Sequence, residues 1–186
     1  MHKLSVLCFL VFTCCWFNAP AQVKSFTKTG KITFFSHAPL EDIEAANKTA
    51  AAVADTKTGA LQVIVLMRGF EFKKALMQEH FNENYVESHR YPKAELKGSF
   101  LNNADIDYNK EGIYKTIVKG QLSLHGVTKE VTVPVILEIR GRKIEATSVF
   151  SLLLSDYHIA IPAIVKDKIS NSVKVTVDLK LDPLGN

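Results

Sequence analysis

A chain of 186 residues with a hydrophobic share of 47% is long enough to enclose one sizeable core. Its formal charge of +4 at pH 7, or +3 without Lys3, is too weak to predict a nucleic-acid groove or an anionic-membrane patch. All three cysteines, Cys8, Cys14 and Cys15, fall within the first 21 residues, so the remainder is barred from disulfides, thiolate nucleophiles and cysteine metal sites.

The chain opens with a short basic start, His2 and Lys3, then an apolar run of 14 from Leu4 to Phe17, then the small-x-small triplet Ala19-Pro20-Ala21. That is the pattern of a cleaved signal peptide over residues 1–21, which places the protein in the periplasm or outside the cell. The run is too short to serve as a transmembrane anchor. Val11-Phe12-Thr13 before Cys14 is a poor lipidation site, so a soluble exported protein is expected. Residues 22–186 show no repeat, low-complexity tract or linker, and are read as one domain.

Strand-like segments dominate that domain. In order they are Gly30–Ser36, Gly59–Met67, Ala94–Leu101, Ile113–His125, Glu130–Ile139, Lys143–Leu154 and Ser172–Leu181. In the last, Val173, Val175, Val177, Leu179 and Leu181 alternate with polar residues, as on a half-buried antiparallel strand. The stretch from Gly120 to Ile139 reads as two such strands joined at a small turn centred on Gly126. Other turns are expected at residues 102–105, 109–112 and 140–142. Ala45–Ala54 is ambiguous, since its alanine content favours helix.

One helix is predicted over Phe72–Asn84, with Phe72, Leu76, Met77 and His80 or Phe81 on one face and Lys73, Lys74, Gln78 and Glu79 outside. The Tyr91-Pro92 step then returns the chain to extended conformation. A single short helix among seven or more antiparallel strands indicates a barrel or a sandwich, which alternation alone does not separate.

Catalytic and metal motifs are weak. Glu79-His80-x-x-Glu83 lacks the second histidine of a helical zinc motif. His89 and His125 have no metal-ligand spacing, and His125 beside Gly126 reads as a turn residue. Ser123, Ser148, Ser151 and Ser155 show no nucleophile elbow. Asp105, Asp107 and Glu111 do not fit a calcium loop, because Gly112 comes too late. An enzyme is therefore not expected, nor a metal or cofactor. Asn47-Lys48-Thr49 is a formal glycosylation sequon, uninformative if the host is bacterial.

Several segments, in order and spacing, resemble the YceI-like family of secreted bacterial lipid-binding proteins. These are Leu122-x-Leu124-His125-Gly126-Val127-Thr128-Lys129-x-Val131-Thr132-Val133-Pro134-Val135, Leu76-Met77-x-x-His80-Phe81 followed by Tyr91-Pro92-Lys93-Ala94, and Phe150-Ser151-Leu152 followed by Ser155-Asp156-Tyr157-His158-Ile159. The start departs from the family, which often opens with Trp-x-x-Asp-x-x-His-Ser where this chain has Gly30-Lys31-Ile32-Thr33-Phe34-Phe35-Ser36-His37. The resemblance suggests strand, or a loop beside one, for Ala45–Ala54.

The resemblance implies an all-β, lipocalin-like antiparallel barrel of about eight strands with one short helix, closed over an elongated pocket for a polyisoprenoid, an isoprenoid quinone or another amphiphilic lipid. Apolar lining is expected from Phe34, Ile64, Leu66, Phe70, Phe72, Phe81, Val133, Val135, Phe150, Leu152 and Val175. The four phenylalanines near element ends are the preferred candidates for a pocket mouth. Arg68, Lys73, Tyr85, His89 and Arg90 are candidates to hold a head group there. Family members often dimerise, so a homodimer is a possible assembly, though no feature of the sequence marks an interface. Two readings compete with lipid binding. A module acting in envelope stress through its surface requires a packed barrel, and a lipid hydrolase or isomerase requires buried titratable groups in the pocket.

Overall fold

The computed structural model describes residues 24–184; the expected signal peptide, and with it the start of the domain at residue 22, lies outside the described residues. Among the described residues nine strands form: β1 Lys24–His37, β2 Asp42–Asp55, β3 Ala60–Leu66, β4 Glu71–Phe72, β5 Lys93–Phe100, β6 Gly112–Leu124, β7 Val127–Arg140, β8 Lys143–Leu153 and β9 Ser172–Pro183. Eight of them run as an antiparallel meander, β1-β2-β3-β5-β6-β7-β8-β9, and pairing of β9 with β1 closes the ring. The two-residue β4 stands outside it, pairing with Ala45 and Ala46 of β2. Closure decides for a barrel over a sandwich and leaves no open edge.

The alternation that predicted these strands sets which side chains turn inward. On β7, Val133, Val135, Leu137 and Ile139 are buried while Thr132, Pro134 and Ile136 are exposed. β6 and β7 stay in register from Gly112↔Ile139 to Leu124↔Val127. Their two-residue loop, His125 and Gly126, has φ of 50° and 76°, the left-handed pair whose twist suits a tight hairpin. At Gly98↔Gly120 the strands β5 and β6 come so close that a Cβ on either glycine would collide with the opposite backbone.

The alanine-rich stretch, which the sequence left open, is strand as the resemblance suggested: it makes up most of β2, with register shifts against β1 on both sides of the Gly30↔Ala50 pair. Two expectations need correction. The helix is shorter than predicted: α1 spans Ala75–His80 and continues as a single wide π turn, Phe81–Tyr85, because Glu71–Phe72 is drawn into β4. On β3, Leu61, Val63 and Val65 turn inward, so Ile64 and Leu66 face out, Leu66 being 55% exposed. A shift of one residue exchanges the two faces of a strand.

The ends of the barrel differ. At one end lie the turns at 56–59, 101–111 and 141–142, with Leu137, Ile139 and Ile144 packed solid inside. Tyr108 donates to Asn103 Oδ1 at 2.8 Å, and Asn103 Nδ2 donates to the Thr56 carbonyl at 3.0 Å, joining two of these turns. Burial pushes the Tyr108 phenol up to about 12. At the other end lie the turn 38–41, the long insertion 67–92 carrying α1, the tight turn at His125 and Gly126, and the segment 154–171.

Candidate functional site

An apolar cavity of about 620 Å³ occupies the barrel interior. Its wall takes side chains from every strand of the ring, including Ile32, Phe34, Val63, Leu96, Leu122, Val133, Phe150 and Val175. Glu41, Lys74, Leu76, Met77, His80, Val165, Lys168 and Ile169 from the second end also line it, whereas none of the lining residues belongs to the turns of the packed end. The cavity is therefore a blind tube with its mouth beside α1.

A cluster of phenylalanines shapes the wall near that mouth. Phe34 of β1 lies 5.3 Å from Phe70, 5.7 Å from Phe72 and 5.5 Å from Phe81 between ring centroids, and Phe72 lies 5.0 Å from Phe81. Stacked, tilted and edge contacts of this kind add to the burial of the rings themselves. The cluster docks the insertion onto the barrel and gives the tube an aromatic wall.

The insertion is fastened at its base and at its far side. Met67 N–H donates to the Pro92 carbonyl at 2.9 Å, bringing its two ends together. The fully buried Asn47 donates from Nδ2 to the Leu66 carbonyl at 2.9 Å and accepts at Oδ1 from the Thr49 N–H at 2.8 Å. On the far side, His125 Nδ1 donates to the Tyr157 carbonyl at 2.9 Å, its Nε2 lies 3.0 Å from Glu87 Oε2, and its ring meets Tyr91 edge-on at 4.6 Å. Among the described residues, the three non-glycine residues with left-handed backbone, Glu87, His125 and His158, all sit at this end. His125 thus ties three separate segments around the mouth.

Polar groups are few and concentrated at the mouth. Lys74 Nζ donates to Glu41 Oε1 at 2.7 Å, spanning α1 and the turn after β1. Tyr85 lines the wall, and burial raises its phenol above the ordinary value, so it remains an O–H donor at neutral pH. Deeper in, Ser148 Oγ is committed to the Pro134 carbonyl at 2.6 Å. Among the described residues no group of three or more His, Cys, Asp or Glu is placed to hold a metal ion, and no helix is long and apolar enough to cross a membrane.

The sequence matches the YceI-like domain family over residues 16–181. The chain belongs to the YceI-like family. No curated protein matches it. Among solved structures, it is similar to a polyisoprenoid-binding domain from Saccharophagus degradans implicated in plant cell wall breakdown, with a TM-score of 0.77, 15% identity, and coverage of 88% of this chain and 99% of that one. It is also similar to BcnA of Burkholderia cenocepacia, with a TM-score of 0.66, 17% identity, and coverage of 81% and 95%. A YceI protein of Campylobacter jejuni follows, at 0.62 and 16%, covering 81% and 90%. At these identities the likeness concerns the fold.

Within this YceI-like barrel, Phe34, Phe70, Phe72, Phe81, Val133, Val135, Phe150, Leu152 and Val175 all line the cavity. Ile64 and Leu66 do not, because they stand on the outer face of β3. Of the expected head-group residues, Tyr85 alone reaches the wall. Arg68 turns away to Ser88 at 3.4 Å, Arg90 lies over the Tyr91 ring, and Lys73 and His89 are exposed. The sequence reading did not include Glu41, Lys74 and Lys168 among the mouth residues. They sit on turns and at a helix start, where no periodicity marks which charge faces inward.

Proposed function

We propose that this protein holds an amphiphilic lipid in its barrel, with a polyisoprenoid chain or isoprenoid quinone as the occupant, and acts as an exported carrier, store or sequestering agent in the periplasm or outside the cell. The observation that carries this reading is the blind apolar tube of about 620 Å³, a size within the usual range of small-molecule sites. A slender apolar tail gains by leaving water for such a wall. The head group remains at the mouth, where Tyr85 offers a hydroxyl donor and the Lys74–Glu41 pair and Lys168 offer charge.

The polyisoprenoid-binding neighbour supports this reading, and the sequence pattern of residues 1–21 supports export. The cavity disfavours the alternative of a surface-acting module, which requires a packed barrel. Its wall also supports a binder over an enzyme, since its titratable groups gather at the mouth and its deeper hydroxyl on Ser148 already has a partner.

The test is native mass spectrometry of the protein purified from its own cell envelope, with organic extraction of anything bound. A stoichiometric hydrophobic adduct is expected. A protein that arrives empty and takes up neither a prenyl quinone nor a fatty amphiphile would overturn the reading.

A further inference from the structure

The barrel wall is not equally knit on all sides. β6 and β7 pair from Gly112↔Ile139 to Leu124↔Val127, and β8 and β9 from Ile144↔Leu181 to Leu153↔Ser172. Between β7 and β8 the ladder runs only from Arg140↔Lys143 to Ile136↔Thr147, although β7 reaches back to Val127 and β8 on to Leu153. Pro134 explains where it stops. Its carbonyl accepts from Ser148 Oγ of β8 at 2.6 Å, and a strand residue turns its N–H and C=O toward the same neighbour, so the N–H that proline lacks is one that would have joined β8. The two strands therefore part just above the packed floor of the tube, where Ile139 and Ile144 pair.

The parted stretch runs alongside the cavity. Val131, Val133 and Val135 on one side and Ser148, Phe150 and Leu152 on the other all line it. Thr147 faces outward on β8 and borders the cavity as well; among outward positions of the described strands only Glu95, close to the insertion, does the same. At the mouth end the stretch is bounded by Lys129 Nζ, which donates to Asp156 Oδ1 at 2.6 Å. The result is a slot with two closed ends. β2 parts from β3 in a similar way, but there β4 and the Asn47 amide fill the gap, whereas among the described residues no element fills this one. Apolar side chains flank the slot outside: Pro134 is exposed, Ile136 is 45% exposed and Val149 54%, and Ile117, the partner of Pro134 on β6, is 42% exposed.

A tube closed at its floor limits the length of tail it holds, and a slot just above the floor removes that limit. We propose that the slot between β7 and β8 is a side outlet of the lipid site, through which the far end of a polyisoprenoid too long for the tube passes to lie along Ile117, Pro134, Ile136 and Val149. The proposal rests on the reading of the tube as a lipid site, and extends its ligand class to chains that outreach the tube. Exposure alone does not choose this face, since Leu101 and Ile113 are exposed too; the parted ladder beside the cavity does. The protruding units cover part of the apolar strip and keep one side in water, so each contributes less to binding than a unit inside the tube.

The test is uptake from detergent of farnesyl and solanesyl probes that share one head group and carry a diazirine at the far end of the chain, with the photolabelled residues located by peptide mass spectrometry. The native protein is expected to take up both. The farnesyl diazirine should mark inward residues of the tube, and the solanesyl diazirine the outer strip around Ile136 and Val149. Ile136→Asp with Val149→Asp should weaken binding of the solanesyl probe about tenfold, leave the farnesyl probe within about twofold of native, and keep the circular dichroism spectrum; Ile113→Asp should change neither probe. Solanesyl labels confined to the barrel interior or to the mouth beside α1 overturn the outlet, and so does a double aspartate variant that folds and binds both probes like the native. The labelling uses the native chain, so it decides even where the variant fails to fold. A native protein that takes up the farnesyl probe and refuses the solanesyl one overturns the outlet alone, whereas uptake of neither overturns the lipid site and the outlet with it.

Discussion

Asn47 shows how a single buried polar group fixes the site. It is fully buried in the wall of β2, and its amide is used from both sides, by the Leu66 carbonyl and by the Thr49 N–H and hydroxyl. The asparagine of the formal sequon is thus an internal bracket holding the end of β3 where the insertion begins. Gly69 packs against it, with room for no Cβ. Asn47→Ala leaves the Leu66 carbonyl and the Thr49 N–H without these partners, and is expected to cost about 2 kcal/mol. Urea unfolding followed by circular dichroism measures this, and an unchanged midpoint would remove the bracket role. Nothing in the sequence distinguishes this Asn-Lys-Thr triplet from an exposed one, since the partner carbonyl lies on another strand.

At the scale of elements, legibility depended on contrast between faces. β7 and β9 were readable because apolar and polar residues alternate over most of their length. β3 was readable as a strand but not in phase, because Leu61-Gln62-Val63-Ile64-Val65-Leu66 is almost continuously apolar and either face fits the core. β2 was obscured by alanine, which suits the crowded wall beside Gly30 and Leu179 but carries little strand signal, and by register shifts that interrupt a period of two. His125 was legible as a turn residue; its bonds to Tyr157 and Glu87 join segments 32 and 38 positions away and leave no local trace. His125→Ala should keep the hairpin, which Gly126 and the long β6–β7 ladder support, yet lose about 2 kcal/mol with the two side-chain bonds. Limited proteolysis should then cut within residues 81–92 sooner than in the native protein. Equal cleavage rates would show that the insertion is held by the phenylalanine cluster alone.

For the molecule as a whole, the question is why a barrel of this size is not simply filled. Its packed end shows that the sequence is able to fill it, with Leu137, Ile139 and Ile144 meeting inside. Beyond those residues the inward positions include the small side chains Ala94, Ala146 and Ser148, and the insertion adds Phe70, Phe72 and Phe81 to the wall. Val175 stands in the wall near the mouth, paired across strands with Phe34 on one side and Phe150 on the other. Val175→Trp therefore directs an indole into the void rather than into packed neighbours. Because overpacking strains a protein only where space is absent, the variant is expected to fold with stability within about 1–2 kcal/mol of the native. Its uptake of a prenyl probe should fall about tenfold or more, since the indole and the tail claim the same volume. Leu66→Ser, on the outer face of β3, should leave uptake unchanged. A Val175→Trp protein that folds and still binds one lipid per chain would place the occupant elsewhere, whereas loss of uptake confined to the inward substitution would locate it in the tube.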